Sequence, residues 1–153
     1  LIVEPFAVSH DAADPIGINV FSGKDKATVV TDTGIISDDI LHRIDDSTLL
    51  VLEANYDPHM LRFGPYQPFL KQRVASDEGH LSNEMAAQAL LMMKRPDFMQ
   101  VILAHRSENN NNAVLVTQTI GKMLVDGGVR IGPEMKLQHG QPNEIVSMQS
   151  IKR

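Results

Sequence analysis

The chain has 153 residues, 42% of them hydrophobic and 22% charged, with a net charge of −5 and no cysteine. That is enough for one domain with its own core, and it excludes disulfides, thiolate metal ligands and thiol catalysis. No apolar run approaches the roughly 20 residues of a membrane span, and the start does not read as a signal peptide. The basic residues cluster only weakly, at Lys71-Gln72-Arg73, Lys94-Arg95 and Lys152-Arg153. This argues against binding nucleic acid through a broad cationic surface, but it does not exclude a nuclease whose metals meet the phosphate. The cysteine-free composition fits a cytoplasmic protein.

Residues 1–8 read as a strand, with Pro5 tolerable at an edge or bulge, and 10–15 as a loop. Ile18–Phe21 and Ala27–Thr31 read as hairpin strands about a turn at Ser22–Asp25, and Thr33-Gly34 turns the chain. Ser37 is placed to cap a helix from Asp38 to Ile44. Thr48–Leu52 reads as a buried strand that ends in Glu53-Ala54-Asn55. Tyr56 to Tyr66 reads as a loop with one helical turn, and Pro68 to Val74 as a short helix.

Ser82 caps the clearest helix, Asn83 to Lys94, in which Met85, Ala86, Ala89, Leu90 and Met93 recur at helical spacing. Met99–Ala104 is the next strand, 108–112 a polar loop, and Ala113 to Val125 a helix stopped by Gly127-Gly128. Val129–Ile131 and Ile145–Ile151 read as terminal strands around a loop with Pro133, Gly140 and Pro142. Strands and helices alternate, so the fold class is α/β. The chain opens on Leu1-Ile2-Val3-Glu4-Pro5-Phe6, already inside an apolar run, which leads us to expect a fragment or a chain from which an earlier part was removed.

Three stretches share one pattern: Phe6-Ala7-Val8-Ser9-His10, Val29-Val30-Thr31-Asp32 and Val101-Ile102-Leu103-Ala104-His105. Each is a short apolar run of the kind that forms a buried strand, and each ends in an imidazole or a carboxylate. A sheet rim of that kind fixes ligand directions and leaves a metal open to substrate. With cysteine absent, the metals it suits are zinc, manganese or iron. Taken singly, His10 also reads as a surface or capping histidine, and Asp32 as the cap of the turn at Gly34. Glu53 reads more readily as a structural carboxylate than as a ligand. His80, between Gly79 and a helix start, suits a proton donor or an anion contact, or else a partner of Asp77 or Glu78. His42, His59 and His139 read as surface residues. There is no nucleophile elbow and no phosphate-cradling glycine loop, so metal-assisted hydrolysis is the chemistry the inventory supports.

The segments Ser-His10-Asp-Ala, Thr-Asp32-Thr-Gly, Leu-Glu53-Ala-Asn55-Tyr-Asp57, Gly-His80-Leu-Ser-Asn83 and Leu-Ala-His105-Arg-Ser-Glu-Asn109-Asn110 occur in that order. In this they resemble the second half of a metallo-β-lactamase-fold hydrolase, most closely the YycJ/WalJ-type branch of bacterial hydrolases, and more distantly the zinc ribonucleases that process transfer-RNA 3′ ends. The resemblance spans residues 1 to about 115 and implies an αβ/βα four-layer sandwich, of which 1–153 is the C-terminal part. It implies two divalent metals, zinc or manganese, with His10, Asp32 and His105 as ligands and Asp32 bridging. It implies a metal-bridging hydroxide as attacking group, His80 as proton donor to the leaving oxygen, and Glu53 as support for the ligands. Asn83, Asn55, Tyr56 and Asn109 are implied at the substrate.

The expected activity is phosphodiester hydrolysis of nucleic acid, as an exonuclease. The alternatives are a small ester, thioester or lactam substrate, or a non-catalytic half-domain kept as an interaction module. Two departures stand out. The upstream H-x-H-x-D-H motif is absent, and Tyr56 stands where a histidine is expected. A lone second half would leave an apolar sheet face to be covered by the missing N-terminal half or by a second copy of the chain.

Overall fold

The computed structural model describes residues 1–141 and 144–146. Its elements are β1 (Ile2–Ala7), β2 (Ile16–Ser22), β3 (Asp25–Val30), α1 (Asp38–Ile44), β4 (Leu49–Glu53), α2 (Pro58–Phe63), α3 (Pro68–Val74), α4 (Asn83–Met92), β5 (Met99–Ala104), α5 (Ala113–Asp126) and β6 (Met135–His139). The strands form one six-stranded sheet in the order β1-β2-β3-β4-β5-β6. The pairings β1–β2 and β2–β3 are antiparallel, and those from β3 through β6 are parallel. The α/β class expected from the sequence is the one observed.

The helices start and stop for local reasons. Ser37, Asp57, Ser82 and Asn112 each accept a hydrogen bond from a first-turn amide at the starts of α1, α2, α4 and α5. Proline opens α2 and α3, where its missing N–H costs nothing. Val30, Leu50, Leu52, Val101 and Leu103 point from one sheet face into the core cluster. There they meet Ile40 and Ile44 of α1, Ala86, Ala89 and Leu90 of α4, and Val116, Ile120 and Leu124 of α5. The alanines of α4 let it lie close to α5.

The opposite sheet face takes no part in that cluster. Its register row runs Pro5, Ile18, Val29, Val51, Ile102 across five strands, and Val29 is 39% exposed.

Several expectations are corrected. The opening run is not buried: β1 is a sheet edge, with Leu1, Ile2 and Val3 exposed and only Phe6 of the strand in the core. The turn of the first hairpin tightens to Gly23-Lys24, because β2 and β3 pair as far as Ser22 and Asp25. The helical turn expected between Tyr56 and Tyr66 is the six-residue helix Pro58–Phe63, somewhat longer than one turn. Helix α4 ends at Met92, because Met93 turns extended ahead of Pro96. Val129–Ile131 is not a strand: Ile131 makes a single bridge to Met135, and the strand that pairs with β5 is Met135–His139. Of the expected strand Ile145–Ile151, residues 145 and 146 are not in a strand, and the rest lies outside the described residues, as does Pro142.

Candidate metal centre

The site lies at the C-terminal ends of the parallel strands, where an open α/β sheet gathers its loops. Asp32 stands two residues past β3, Glu53 is the last residue of β4, and His105 follows β5 directly. His10 comes from the loop after β1, and His80 from the turn before α4. Asp32 and His105 both hold left-handed backbones, with φ of 55° and 52°. Left-handed backbone is uncommon outside glycine and typical of sites where geometry serves function.

Two glycines bring the His80 turn close. A Cβ on Gly34 would lie 2.3 Å from the carbonyl oxygens of Ser76 and Asp77, and one on Gly79 would lie 2.2 Å from that of Arg73. The loop of His10 is fixed on the same turn. The Asp11 amide donates to the Glu78 carbonyl, and Arg73 pairs with the Asp11 carboxylate.

Glu53 organises the site from beneath. It is fully buried. One carboxylate oxygen accepts from Nδ1 of His80 at 2.7 Å and from Nδ1 of His105 at 2.8 Å. The other accepts from the Thr33 amide at 3.0 Å. Burial pushes the Glu53 carboxyl up, but the bonds from His105, His80 and Thr33 together outweigh it and hold the group below its ordinary value. An ionised carboxylate only accepts, so both histidines carry their proton on Nδ1. His10 Nδ1 meets the Gly79 carbonyl oxygen at 3.0 Å, which fixes the same tautomer there.

All three rings therefore keep an Nε2 lone pair for other work. The Nε2 atoms of His10 and His105 lie 3.7 and 3.6 Å from the same oxygen of Asp32. His80 sits between them, its ring centroid 5.1 Å from that of His10 and 5.2 Å from that of His105.

Imidazoles pinned at Nδ1 by a carboxylate or carbonyl, with a carboxylate between their free nitrogens, fit a divalent metal such as zinc or manganese. His10, Asp32 and His80 bring ligand atoms within 4.8 Å of one another, and so do Glu53, His80 and His105. The second group is better read as a hydrogen-bonded triad, because the Glu53 oxygens are already occupied. That leaves His10, Asp32 and His80 as the group whose ligand atoms converge, with Nε2 of His105 3.6 Å from the Asp32 carboxylate.

A cavity of about 420 Å³ opens over this set. Asn55, Tyr66, Arg106, Glu108 and Asn109 also line it. Tyr66, Arg106 and Glu108 are absent from the sequence-derived set, since a side chain in a loop carries no periodic signal. Asn55 donates to the His105 carbonyl at 2.8 Å and so holds that turn. Asn83 and Tyr56, expected at the substrate, do not line the cavity. Asn83 is fully buried and exchanges two side-chain bonds with Asn111, and Tyr56 packs with Leu61 and Val74.

The four consecutive asparagines divide their tasks. Asn109 faces the cavity, Asn110 is buried against Ser107, Asn111 pairs with Asn83, and Asn112 caps α5. His139, read as a surface residue, is half-buried and bonds Thr117, and burial holds its pKa down.

The triad makes metal-free stability depend on pH. The hydrogen bond to Glu53 raises the pKa of His105 above its ordinary 6.5, against the opposing effect of burial. A raised imidazole contributes stability fully below 6.5 and loses it as pH climbs through the folded value. The lowered Glu53 contributes fully above its ordinary 4.5 and loses it as pH falls through the folded value. The thermal midpoint of protein in EDTA is therefore expected to peak between 4.5 and 6.5. In a Glu53→Gln variant, a midpoint profile identical to that of the parent would show that the triad contributes nothing.

Comparison with known proteins bears on this arrangement. No family model matches the chain. A protein named exodeoxyribonuclease YycJ, from Bacillus anthracis, is 34% identical over 149 residues, which is 97% of this chain and 56% of that protein. Exodeoxyribonuclease WalJ of Streptococcus pneumoniae is 32% identical over 149 residues, 97% of this chain and 55% of that protein. The chain thus spans just over half the length of these curated relatives.

Among solved structures, the metallo-β-lactamase fold protein YhfI from Bacillus subtilis superimposes with a TM-score of 0.59 at 12% identity, covering 91% of this chain and 46% of YhfI. Zinc-bound PqqB from Methylobacterium extorquens gives a TM-score of 0.55 at 16% identity, covering 90% of this chain and 44% of PqqB. The architecture is that of about half of each.

Proposed function

We propose that this chain, a homologue of the YycJ/WalJ proteins with metallo-β-lactamase architecture, is the C-terminal part of a metal-dependent exonuclease domain. The observation that carries the reading is the buried Glu53 carboxylate, which holds His80 and His105 by Nδ1 and leaves the Nε2 of His105 3.6 Å from Asp32. His10, Asp32 and His105 would hold metal. A divalent metal there supplies a Lewis acid that neutralises phosphate charge and makes water a stronger acid.

The chain's own residues do the rest. Asp32 stands between His10 and His105. His80, its Nδ1–H held by Glu53, takes up a proton from solvent at Nε2 and, as the imidazolium, passes that proton to the leaving oxygen. Arg106 lines the cavity, and among the described residues it has no ion-pair partner, so its guanidinium is available to a phosphate. The sheet face with Ile18, Val29, Val51 and Ile102 is where, in this reading, the N-terminal half of the sandwich packs, or failing that a second copy of the chain. No helix among the described residues is long and apolar enough to cross a membrane. A cytoplasmic site of action belongs to the same proposal and is supported by the nuclease names of the relatives.

The test offers the longer protein of which this chain would be the C-terminal part, with manganese or zinc, DNA, RNA and a thioester in parallel. Metal-dependent release of nucleotides from DNA is expected, and thioester turnover without phosphodiester cleavage would overturn the reading. His80→Ala is expected to slow cleavage by roughly 10²- to 10⁴-fold, the usual worth of a positioned proton donor, with metal content unchanged. Loss of metal from that variant would make His80 a ligand instead.

A further inference from the structure

The segment from Pro58 to Ser76 contains no aspartate or glutamate, yet it carries Arg62, Lys71 and Arg73 in a chain of net charge −5. It also holds Phe63, Tyr66 and Phe69, in a chain with only five phenylalanines and two tyrosines. Its small core is already filled: Tyr56, Leu61 and Val74 are buried, with Tyr66 and Leu70 packed against them. Phe63 and Phe69 remain 67% and 71% exposed.

The Arg62 guanidinium lies over the Phe63 ring, 5.3 Å from its centroid, and the His59 ring is 4.6 Å away. Tyr66, between the two phenylalanines in sequence, lines the cavity shared by His10, Asp32, His80 and His105. Its hydroxyl takes a bond from Asn109 at 3.5 Å. Lys71 spends one proton on the Arg62 carbonyl and keeps two, while Arg73 is tied to Asp11. Of the flanking acids, the Asp57 carboxylate is used in capping α2.

We propose that α2 and α3 form a stacking platform for single-stranded nucleic acid, continuous with the metal cavity through Tyr66. Phe63 and Phe69 take the faces of unpaired bases, and Arg62 and Lys71 take backbone phosphates. Exposed rings on a segment that carries three cations and no carboxylate of its own match a polyanion with free π-faces, and stacking of this kind tolerates any base sequence. Paired bases hide those faces, so duplex is the poorer ligand. The inference rests on the nuclease reading above for what the cavity does, but the binding it predicts needs no metal.

The experiment measures binding of fluorescein-labelled oligothymidylate to the protein in EDTA by anisotropy. It runs beside hydrolysis of the oligonucleotide and of bis-para-nitrophenyl phosphate with metal present. Single strand is expected to bind more tightly than blunt duplex. Phe63→Ala and Phe69→Ala are each expected to weaken single-strand binding about 5- to 100-fold. Phe69→Trp should retain affinity, and Phe69→Leu should lose it as alanine does, which separates stacking from simple greasiness. In turnover, KM for the oligonucleotide rises while kcat and the small diester are unaffected.

Variants that bind oligonucleotide as the parent does would overturn the platform, even if cleavage persists. So would self-association that depends on Phe63 and Phe69 while oligonucleotide binding does not. Aromatic-dependent binding without hydrolysis of either substrate would uphold the platform and defeat the nuclease reading instead.

Discussion

Replacing Glu53 by alanine is expected to destabilise the protein by about 3–5 kcal/mol, the usual cost of removing one partner from a buried charged network. It is also expected to weaken metal binding by roughly 10- to 100-fold, as is usual when the carboxylate behind a ligating histidine is lost. The carboxylate is wholly buried and satisfies three donors at once, the Nδ1–H groups of His80 and His105 and the Thr33 amide. Alanine leaves all three without an acceptor, in a place water reaches poorly. Each hydrogen bond to a charged group contributes about 1.5–3 kcal/mol, so the total follows even after partial relaxation. Glu53→Gln keeps the volume but turns one acceptor into a donor that faces an N–H, so it should fall between parent and alanine. Urea unfolding gives the stability, calorimetric titration gives the metal affinity, and proton spectra of the imidazole Nδ1–H signals give the mechanism. If those signals persist unshifted in Glu53→Ala, the carboxylate does not orient the rings.

Asp32→Gly should separate activity from stability. On the proposed reading, in which Asp32 would hold metal, hydrolysis is expected to fall about a thousandfold or more, since such a ligand supplies several kcal/mol of transition-state stabilisation. The thermal midpoint, in contrast, should hold or rise. At φ 55° the Asp32 backbone sits in the left-handed region, which costs a side-chain-bearing residue about 1–2 kcal/mol and glycine almost nothing. Glycine loses about 0.5–1 kcal/mol of backbone entropy in return, and the half-exposed ion pairs with His10 and His105 are each worth under about 1 kcal/mol. The sum lies near zero or slightly above it. Asp32→Val removes the same ligand but places a β-branched residue in the strained backbone, and should melt several degrees lower than Asp32→Gly. Calorimetric scans of the two variants decide the matter. Equal midpoints would mean that the turn carries no strain at this residue.

These two positions also show what a sequence can and cannot say. His10, Asp32 and His105 draw notice in the sequence because each is a polar residue shortly after an apolar run; the fold brings them together, although the run before His10 is exposed. That Glu53 serves two rings is not legible, because His80 and His105 lie far along the chain from it and meet it only when β4 and β5 pair. The edge strand β6 lies C-terminal to the run that its sequence favours, for a physical reason. Val129-Arg130-Ile131 has the β-branched residues that favour strands, but it follows Gly127-Gly128 too closely to reach β5, so Met135–His139 takes the hydrogen bonds despite weaker propensity. The resemblance implies Asn83 at the substrate, whereas in the structure it is fully buried at the start of α4. Its partner Asn111 turns it inward, a long-range pairing that nothing local announces. Tyr66 and Arg106 went unread for the opposite reason: they lie on irregular chain, where only the folded cavity gives them a role.

The strand order has a consequence for how the molecule assembles. Every strand neighbours its predecessor in sequence, from β1 to β6 without a skip. Such a sheet can grow from one edge as the polypeptide emerges from the ribosome, each new strand closing one loop of modest entropy cost onto a template already in place. The residues proposed to hold metal cannot come together so gradually, because His10 arrives with β1 and His105 only with β5. An ion that prefers the complete set gains nothing from early intermediates and everything from the docking of β5. Metal should therefore slow unfolding far more than it speeds folding, acting as a latch closed last and opened first.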